Sequence, residues 1–164
     1  VNNSKIVIMT DVDVYENVMY GSFNATKKQV IEACKKAELH DLIMTWIEGY
    51  ETILGKRDFL LSDGQKQRLI IARMFLKDPK ILIFDQATSE LDNIVEKEIQ
   101  SKLNELMGGR TSVTIAHRNS TIKHVDEIIV LAGNGKGVVQ RGALKELKSK
   151  AGHFKKLYEA GLME

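Results

Sequence analysis

The stretch that decides the fold is Ile81-Leu82-Ile83-Phe84-Asp85. Four apolar residues closed by an acid read as a strand buried on both faces of a parallel sheet, with a carboxylate at its carboxyl end. The carboxyl ends of such strands are where open α/β sheets bind ligands. A carboxylate there can hold a nucleotide's Mg²⁺, directly or through water, or it can simply cap the turn that follows. Pro79 separates this strand from the preceding helix, since proline restricts the residue before it and donates no hydrogen bond. Downstream, Ser112–Ile115 and Glu127–Leu131 have the same β-rich character, and the segment between Asn93 and Met107 supplies a crossover helix. Strands alternating with helices predict an α/β layer.

Working back from Pro79, a helix reaches to about Lys77 with Leu69, Ala72 and Leu76 on one face, and Leu61 to Gln65 stands immediately before it. Ser62 with Gln65 three residues on is a capping-box pattern. Further upstream, Thr26 is a helix N-cap followed by Val30, Ile31, Cys34 and Ala37 at helical spacing to about Leu39, which makes Cys34 a core residue. Asp41 is expected to cap a second helix carrying Leu42, Ile43, Trp46 and Ile47 and ended by Gly49. Residues 26–53 thus read as a small helical unit. Lys5–Met9 reads as a strand leading through a polar loop to a short helix before Gly21. Beyond the central layer, Val138–Gln140 is a last edge strand before amphipathic helices at Ala143–Lys150 and His153–Glu159.

Composition excludes several classes. The 164 residues carry 24 Lys and Arg against 22 Asp and Glu, a formal charge of +2, and 43% are hydrophobic, the balance of a globular domain. The basic residues are interspersed rather than blocked, except for the locally basic tail from Lys145 to Lys156, so nucleic acid is not an expected partner. The longest apolar run, Ile128–Ala132, is far short of the ~20 residues that span a bilayer. The single cysteine excludes an internal disulfide framework, and no cluster of Cys and His has zinc-site spacing. The opening Val1-Asn2-Asn3-Ser4 shows neither an initiator Met nor a leader, which leads us to expect a chain that begins inside a longer one.

Two further constellations fall near the sheet rim. Ile115-Ala116-His117-Arg118 ends a predicted strand, which would set His117 on the same rim as Asp85; an imidazole there can donate a hydrogen bond to a γ-phosphate, or be a satisfied structural histidine. Leu61-Ser62-Asp63-Gly64-Gln65 combines a hydroxyl, a glycine that lets backbone approach and the positive end of a helix dipole, a combination suited to an anion. Between them lies Ser89-Glu90-Leu91-Asp92, with Asp92 as N-cap of the next helix.

Taken in order, Leu61-Ser62-Asp63-Gly64-Gln65-Lys66-Gln67-Arg68, then Ile81 to Asp92, then Ile115-Ala116-His117-Arg118 resembles the ATP-binding cassette (ABC) ATPases. The resemblance spans essentially the whole chain and is closest to B-type exporters, particularly half-transporters of mitochondrial and heavy-metal-tolerance kind. Tyr15-Glu16-Asn17-Val18, Ala37-Glu38-Leu39-His40-Asp41, Gly49-Tyr50-Glu51-Thr52 and Val139-Gln140-Arg141-Gly142 look like that group. The implied fold is an incomplete P-loop NTPase core, α/β with a mostly parallel sheet, plus a helical subdomain. Residues 1–25 would be the Q-loop strand and connector, 26–78 the helical subdomain ending in the signature and its helix, 79–142 the C-terminal part of the ATPase core, and 143–164 the C-terminal helices. The resemblance also implies ATP and Mg²⁺ as cofactors and a head-to-tail partnership with a second nucleotide-binding domain. In it Asp85, the Walker B aspartate, serves Mg²⁺; His117, the switch histidine, touches the γ-phosphate; and Leu61, Ser62, Asp63, Gly64 and Gln65 close over ATP held by the partner. Ser89 and Asp92, in the D-loop, join the two sites. A transmembrane domain would be the other partner, placing the chain at the cytosolic or matrix face of a transporter that exports its substrate at the expense of ATP.

The sequence departs from that pattern at four places. No Gly-x-x-x-x-Gly-Lys-[Ser/Thr] phosphate cradle occurs in these residues, and that loop supplies most backbone donors for the β- and γ-phosphates. Gln86 stands where hydrolysing relatives carry a glutamate, and an amide cannot take a proton from water; hydrolysis is therefore expected to be impaired. Asp63 occupies a usual glycine position. It either faces a phosphate, where like charges about 4 Å apart repel by roughly 4 kcal/mol at an effective dielectric near 20, or points to solvent and favours its helix N-terminus. Lys5 falls at the Q-loop glutamine position, or Ser4 with a one-residue gap, and lysine lacks the amide oxygen that would ligate Mg²⁺. These departures leave a second reading open, a catalytically degenerate cassette acting as a nucleotide-dependent dimerisation or regulatory module.

Overall fold

The computed structural model describes residues 12–55, 61–85, 93–115, 122–133 and 135–160, with the side chains of 93–96 excepted. They form two compact units, one drawn from 12–83 and 93–113 and the other from 84–85 and 114–160. The described strands make three two-stranded sheets.

The first unit opens with β1 (Val12–Asp13) and α1 (Val14–Met19), where the Asp13 carboxylate accepts the Glu16 N–H at 2.8 Å. The next helix, α2 (Lys27–Lys36), starts on the expected Thr26 cap, whose hydroxyl and Gln29 side chain satisfy each other's backbone N–H groups. It buries Val30, Ala33 and Cys34 and stops at Lys36 rather than near Leu39, because Glu38 turns into the left-handed region at φ 54°. In α3 (His40–Met44) the N-cap is Leu39, and Asp41, expected to be the cap, lies within the first turn. That helix is also shorter than its apolar residues suggested. The Thr45 hydroxyl donates to the Leu42 carbonyl at 2.6 Å, competing for a C-terminal acceptor, and Ile47 beyond it is fully exposed. After a 3₁₀ turn at Gly49–Glu51, β2 (Ile53–Leu54) pairs antiparallel with β1.

Helix α4 (Asp63–Lys77) buries Leu69, Ile71, Ala72 and Arg73, and a left-handed Asp78 ends it just before Pro79. Arg73 is tied to α1 across the core: its Nε donates to the Asn17 carbonyl at 2.6 Å and a terminal nitrogen to Asn17 Oδ1 at 2.9 Å. The Asn17 amide in turn donates to the Val12 and Asp13 carbonyls, so a guanidinium without a carboxylate in this set is satisfied by neutral acceptors. Gly21 belongs to the same junction, since a β-carbon there would lie 2.3 Å from the Arg73 carbonyl oxygen.

β3 (Ile81–Asp85) and β4 (Thr111–Ile115) are joined at their starts by the Thr111 N–H to Lys80 carbonyl bond, which makes the pair parallel, and α5 (Asn93–Met107) lies between them in sequence, as expected. β3 is not buried on both faces. Leu82 and Phe84 are buried, whereas Ile81 and Ile83 are 64% and 71% exposed, as is Val113 of β4 at 54%. An apolar run records only that water is unwelcome on either side, whereas the pleat sends successive side chains to opposite faces, and in these residues one face alone is covered.

In the second unit β5 (Ile128–Leu131) and β6 (Val138–Gly142) pair antiparallel with a bulge at Val130/Leu131. Helices α6 (Leu144–Ser149) and α7 (His153–Glu159) close a core of Ile122, Val130, Leu147 and Phe154. The Gln140 side-chain Oε1 accepts the Phe154 N–H at 2.7 Å. Its amide comes within 2.2 Å of where a β-carbon on Gly152 would stand, so a larger residue there would require the Gln140 side chain to move.

Candidate functional site

The turn that opens α4 is built as its sequence suggested. Ser62 is the N-cap, its Oγ accepts the Gln65 N–H at 3.3 Å, and the Gln65 side chain accepts the Ser62 N–H at 2.9 Å. Leu61 is buried and anchors the turn, whereas Ser62 and Asp63 are exposed. The cap uses the hydroxyl oxygen as an acceptor, which leaves the hydroxyl proton available to a ligand. The Gly64 N–H, in the first helical turn, has no intrahelical acceptor. A hydroxyl donor, a first-turn N–H and the helix dipole can together hold an anion.

Asp63 stands at the first helical position, and its carboxylate takes the Lys66 ammonium at 2.9 Å. Its charge is thus partly neutralised one turn along the same helix.

Asp85 is the last residue of β3 and is exposed at the strand's carboxyl end. An exposed carboxylate is a hard oxygen donor suited to Mg²⁺, which binds one or two carboxylates together with substrate phosphates. Asp85 and the Ser62 turn belong to different units. Lys5, Gln86, Ser89, Asp92 and His117 lie outside the described residues. Among the described residues no three His, Cys, Asp or Glu side chains gather as a metal cage.

Two groups of polar residues in the first unit were not anticipated. Arg73 sits on the buried stripe of α4 beside Leu69 and Ala72; a lone arginine on an apolar helical face is the sequence signal that would have found it. The other group is a buried cluster behind α2. Cys34 is wholly buried, and desolvation pushes its thiol up to about 12, offset in part by the neighbouring Tyr50 hydroxyl. Tyr50 meets His40 Nδ1 at 2.9 Å and stacks on Tyr15 with ring centroids 4.8 Å apart. Burial raises its phenol as well.

Comparison with known proteins bears on these elements. The family profile described as ABC transporter matches residues 1–89. The chain is 49% identical over 145 residues to ABC transporter B family member 14 of Arabidopsis thaliana, covering 88% of this chain and 12% of that protein. It is 43% identical over 158 residues to an ATP-dependent lipid A-core flippase of Syntrophus aciditrophicus, covering 96% of this chain and 26% of that protein. Among solved structures, a bacterial Atm1-family ABC exporter with ATP bound superposes with a TM-score of 0.81 at 34% identity, over 95% of this chain and 27% of the exporter. The chain therefore spans about a quarter or less of the length of these relatives. Its mixed α/β fold, with helices and a parallel strand pair, matches part of an ABC ATPase of the P-loop NTPase class.

Proposed function

The chain belongs to the ABC transporter family, and from that premise we propose that it is part of a nucleotide-binding domain that couples ATP binding, in a head-to-tail pair, to export of a substrate across a membrane. Residues 26–78 would be the helical subdomain, and 79–142 the C-terminal part of the ATPase core. The partners are a second nucleotide-binding domain and a transmembrane domain. The latter is a separate segment or chain in this reading, since no described helix is long and apolar enough to cross a membrane.

The observation that carries the reading is the exposed Asp85 carboxylate closing a strand of the parallel pair. There it would hold Mg²⁺, which supplies positive charge to the triphosphate when bound. The Ser62 hydroxyl and the first-turn N–H groups of α4 would orient the γ-phosphate of ATP held by the partner, and His117 would donate to the same group. Gln86 would position water without removing its proton, so the assembled site holds ATP longer than it cleaves it. Gln86 favours, as a second reading, a degenerate cassette whose output is nucleotide-dependent pairing rather than turnover.

Calorimetry on the full-length protein tests the first reading. Asp85→Asn should weaken Mg-ATP binding by about tenfold or more while leaving Mg-free ATP binding nearly unaltered. Equal losses with and without Mg²⁺ would remove Asp85 from the metal site.

A further inference from the structure

Glu38 occupies the position after the C-cap of α2 with φ 54°. The Leu39 N–H reaches the Cys34 carbonyl at 2.9 Å and the Glu38 N–H the Lys35 carbonyl at 3.0 Å, the bond pair of a Schellman turn. Glycine or asparagine suits that left-handed position, because a β-carbon crowds the following carbonyl. A long acidic side chain is held there against its backbone preference, and its surroundings supply the compensation. Glu38 Oε1 lies 2.8 Å from the Lys102 ammonium on α5, and Oε2 lies 3.7 Å from the Arg68 guanidinium on α4. The Glu38 carbonyl accepts a hydrogen bond from the same guanidinium at 2.9 Å. Arg68 also pairs with Glu98 of α5, and Lys102 with Glu105 at 3.6 Å. The Arg68 and Lys102 side chains are only 20% and 22% exposed, so these pairs are less screened than free surface ions. Lys102 is raised above the usual value for an ammonium, first by its hydrogen bond to Glu38.

Arg68 lies six residues beyond Ser62 on the helix whose first turn carries the candidate anion site, about 9 Å along its axis. We propose that Glu38 is a positioning residue for the 61–65 turn: gripping Arg68 by carbonyl and carboxylate while binding Lys102, it fixes the direction in which the start of α4 points relative to α2 and α5. The proposal rests on the reading of that turn as a nucleotide contact. A merely static brace would lower the melting temperature when removed and leave nucleotide response untouched.

The two are separated in the full-length protein by measuring, through light scattering, the Mg-ATP concentration that half-saturates cassette pairing, alongside the melting temperature. Glu38→Gly removes the carboxylate and the backbone strain together, so its fold is retained; Glu38→Gln keeps the shape without the charge. Glu38→Gly should raise the half-saturating concentration about 5- to 10-fold at an unchanged melting temperature, and Glu38→Gln should recover part of it. Ser62→Ala, which alters the turn itself, should raise the value too. If Ser62→Ala raises it while both Glu38 variants match the parent, the positioning role is wrong and the site stands. If all three match the parent, the reading of the turn falls and takes the proposal with it. A drop in melting temperature with unaltered half-saturation identifies a static brace and likewise overturns the proposal.

Discussion

The Cys34 thiol is buried against the Tyr50 hydroxyl, and burial pushes it up to about 12, against about 8.5 for an unfolded cysteine. The folded state therefore disfavours the thiolate. The resulting stabilisation is complete below about pH 8.5 and is lost as pH rises toward the folded value, by up to about 1.4 kcal/mol per pH unit. Tyr50, also raised, acts with the same sign but only above about pH 10, where an unfolded tyrosine begins to ionise. Between pH 8.5 and 10 the urea midpoint of the parent protein should fall more steeply than that of Cys34→Ala; equal slopes would mean that the thiol is not desolvated. At this scale the sequence was most legible where partners are near neighbours. The Ser62–Gln65 capping box follows from a spacing of three, and the Thr26 cap was readable although its Gln29 partner was not singled out. The pairing of Asn17 with Arg73 crosses two helices, and nothing local announces it. Asp63 lies between these cases: its helix-start position was readable, and its contact with Lys66 was not singled out.

Elements were readable in kind and less so in their ends and faces. α5 and α7 have the expected bounds, because their apolar periodicity runs the full length of each helix. α3 stops early where Thr45 bonds back to Leu42. The two-residue strands β1 and β2, too short to show alternation, went unnoticed. For β3 the apolar run was right about the strand and wrong about its burial. Leu82 is 3% exposed and Ile83 71%, so truncating each should differ sharply. In the 164-residue chain, Leu82→Ala should cost about 2–5 kcal/mol and Ile83→Ala no more than about 0.5 kcal/mol, read from denaturant midpoints. In the full-length protein Ile83→Ala should become costly as well if a further layer lies on that face, the usual state of a parallel pair. A neutral Ile83→Ala in both would leave the face exposed throughout and count against a complete ATPase core there.

For the molecule as a whole, the motifs are spread along the chain and across both compact units. Asp85 and the Ser62 turn are placed each within its own unit, while the family match covers residues 1–89 and so takes in both. Order survives in sequence because catalysis needs particular atoms at loop ends; the fold needs only pattern, which is why 34% identity accompanies a TM-score of 0.81 with the ATP-bound exporter. On the function proposed above, the residue after Asp85 is the most consequential single letter in the chain. A carboxylate there would accept the proton of attacking water, and an amide cannot; general-base catalysis contributes about 10²- to 10⁴-fold. Gln86→Glu in the full-length protein should therefore raise phosphate release by about that factor with little effect on ATP affinity, because the change acts on the transition state and not on the bound ground state. A matched rise in affinity would point instead to an altered binding pocket. An unaltered rate, with pairing intact, would show that Gln86 does not stand beside the attacking water, and the nucleotide-dependent pairing module would become the better description of this cassette.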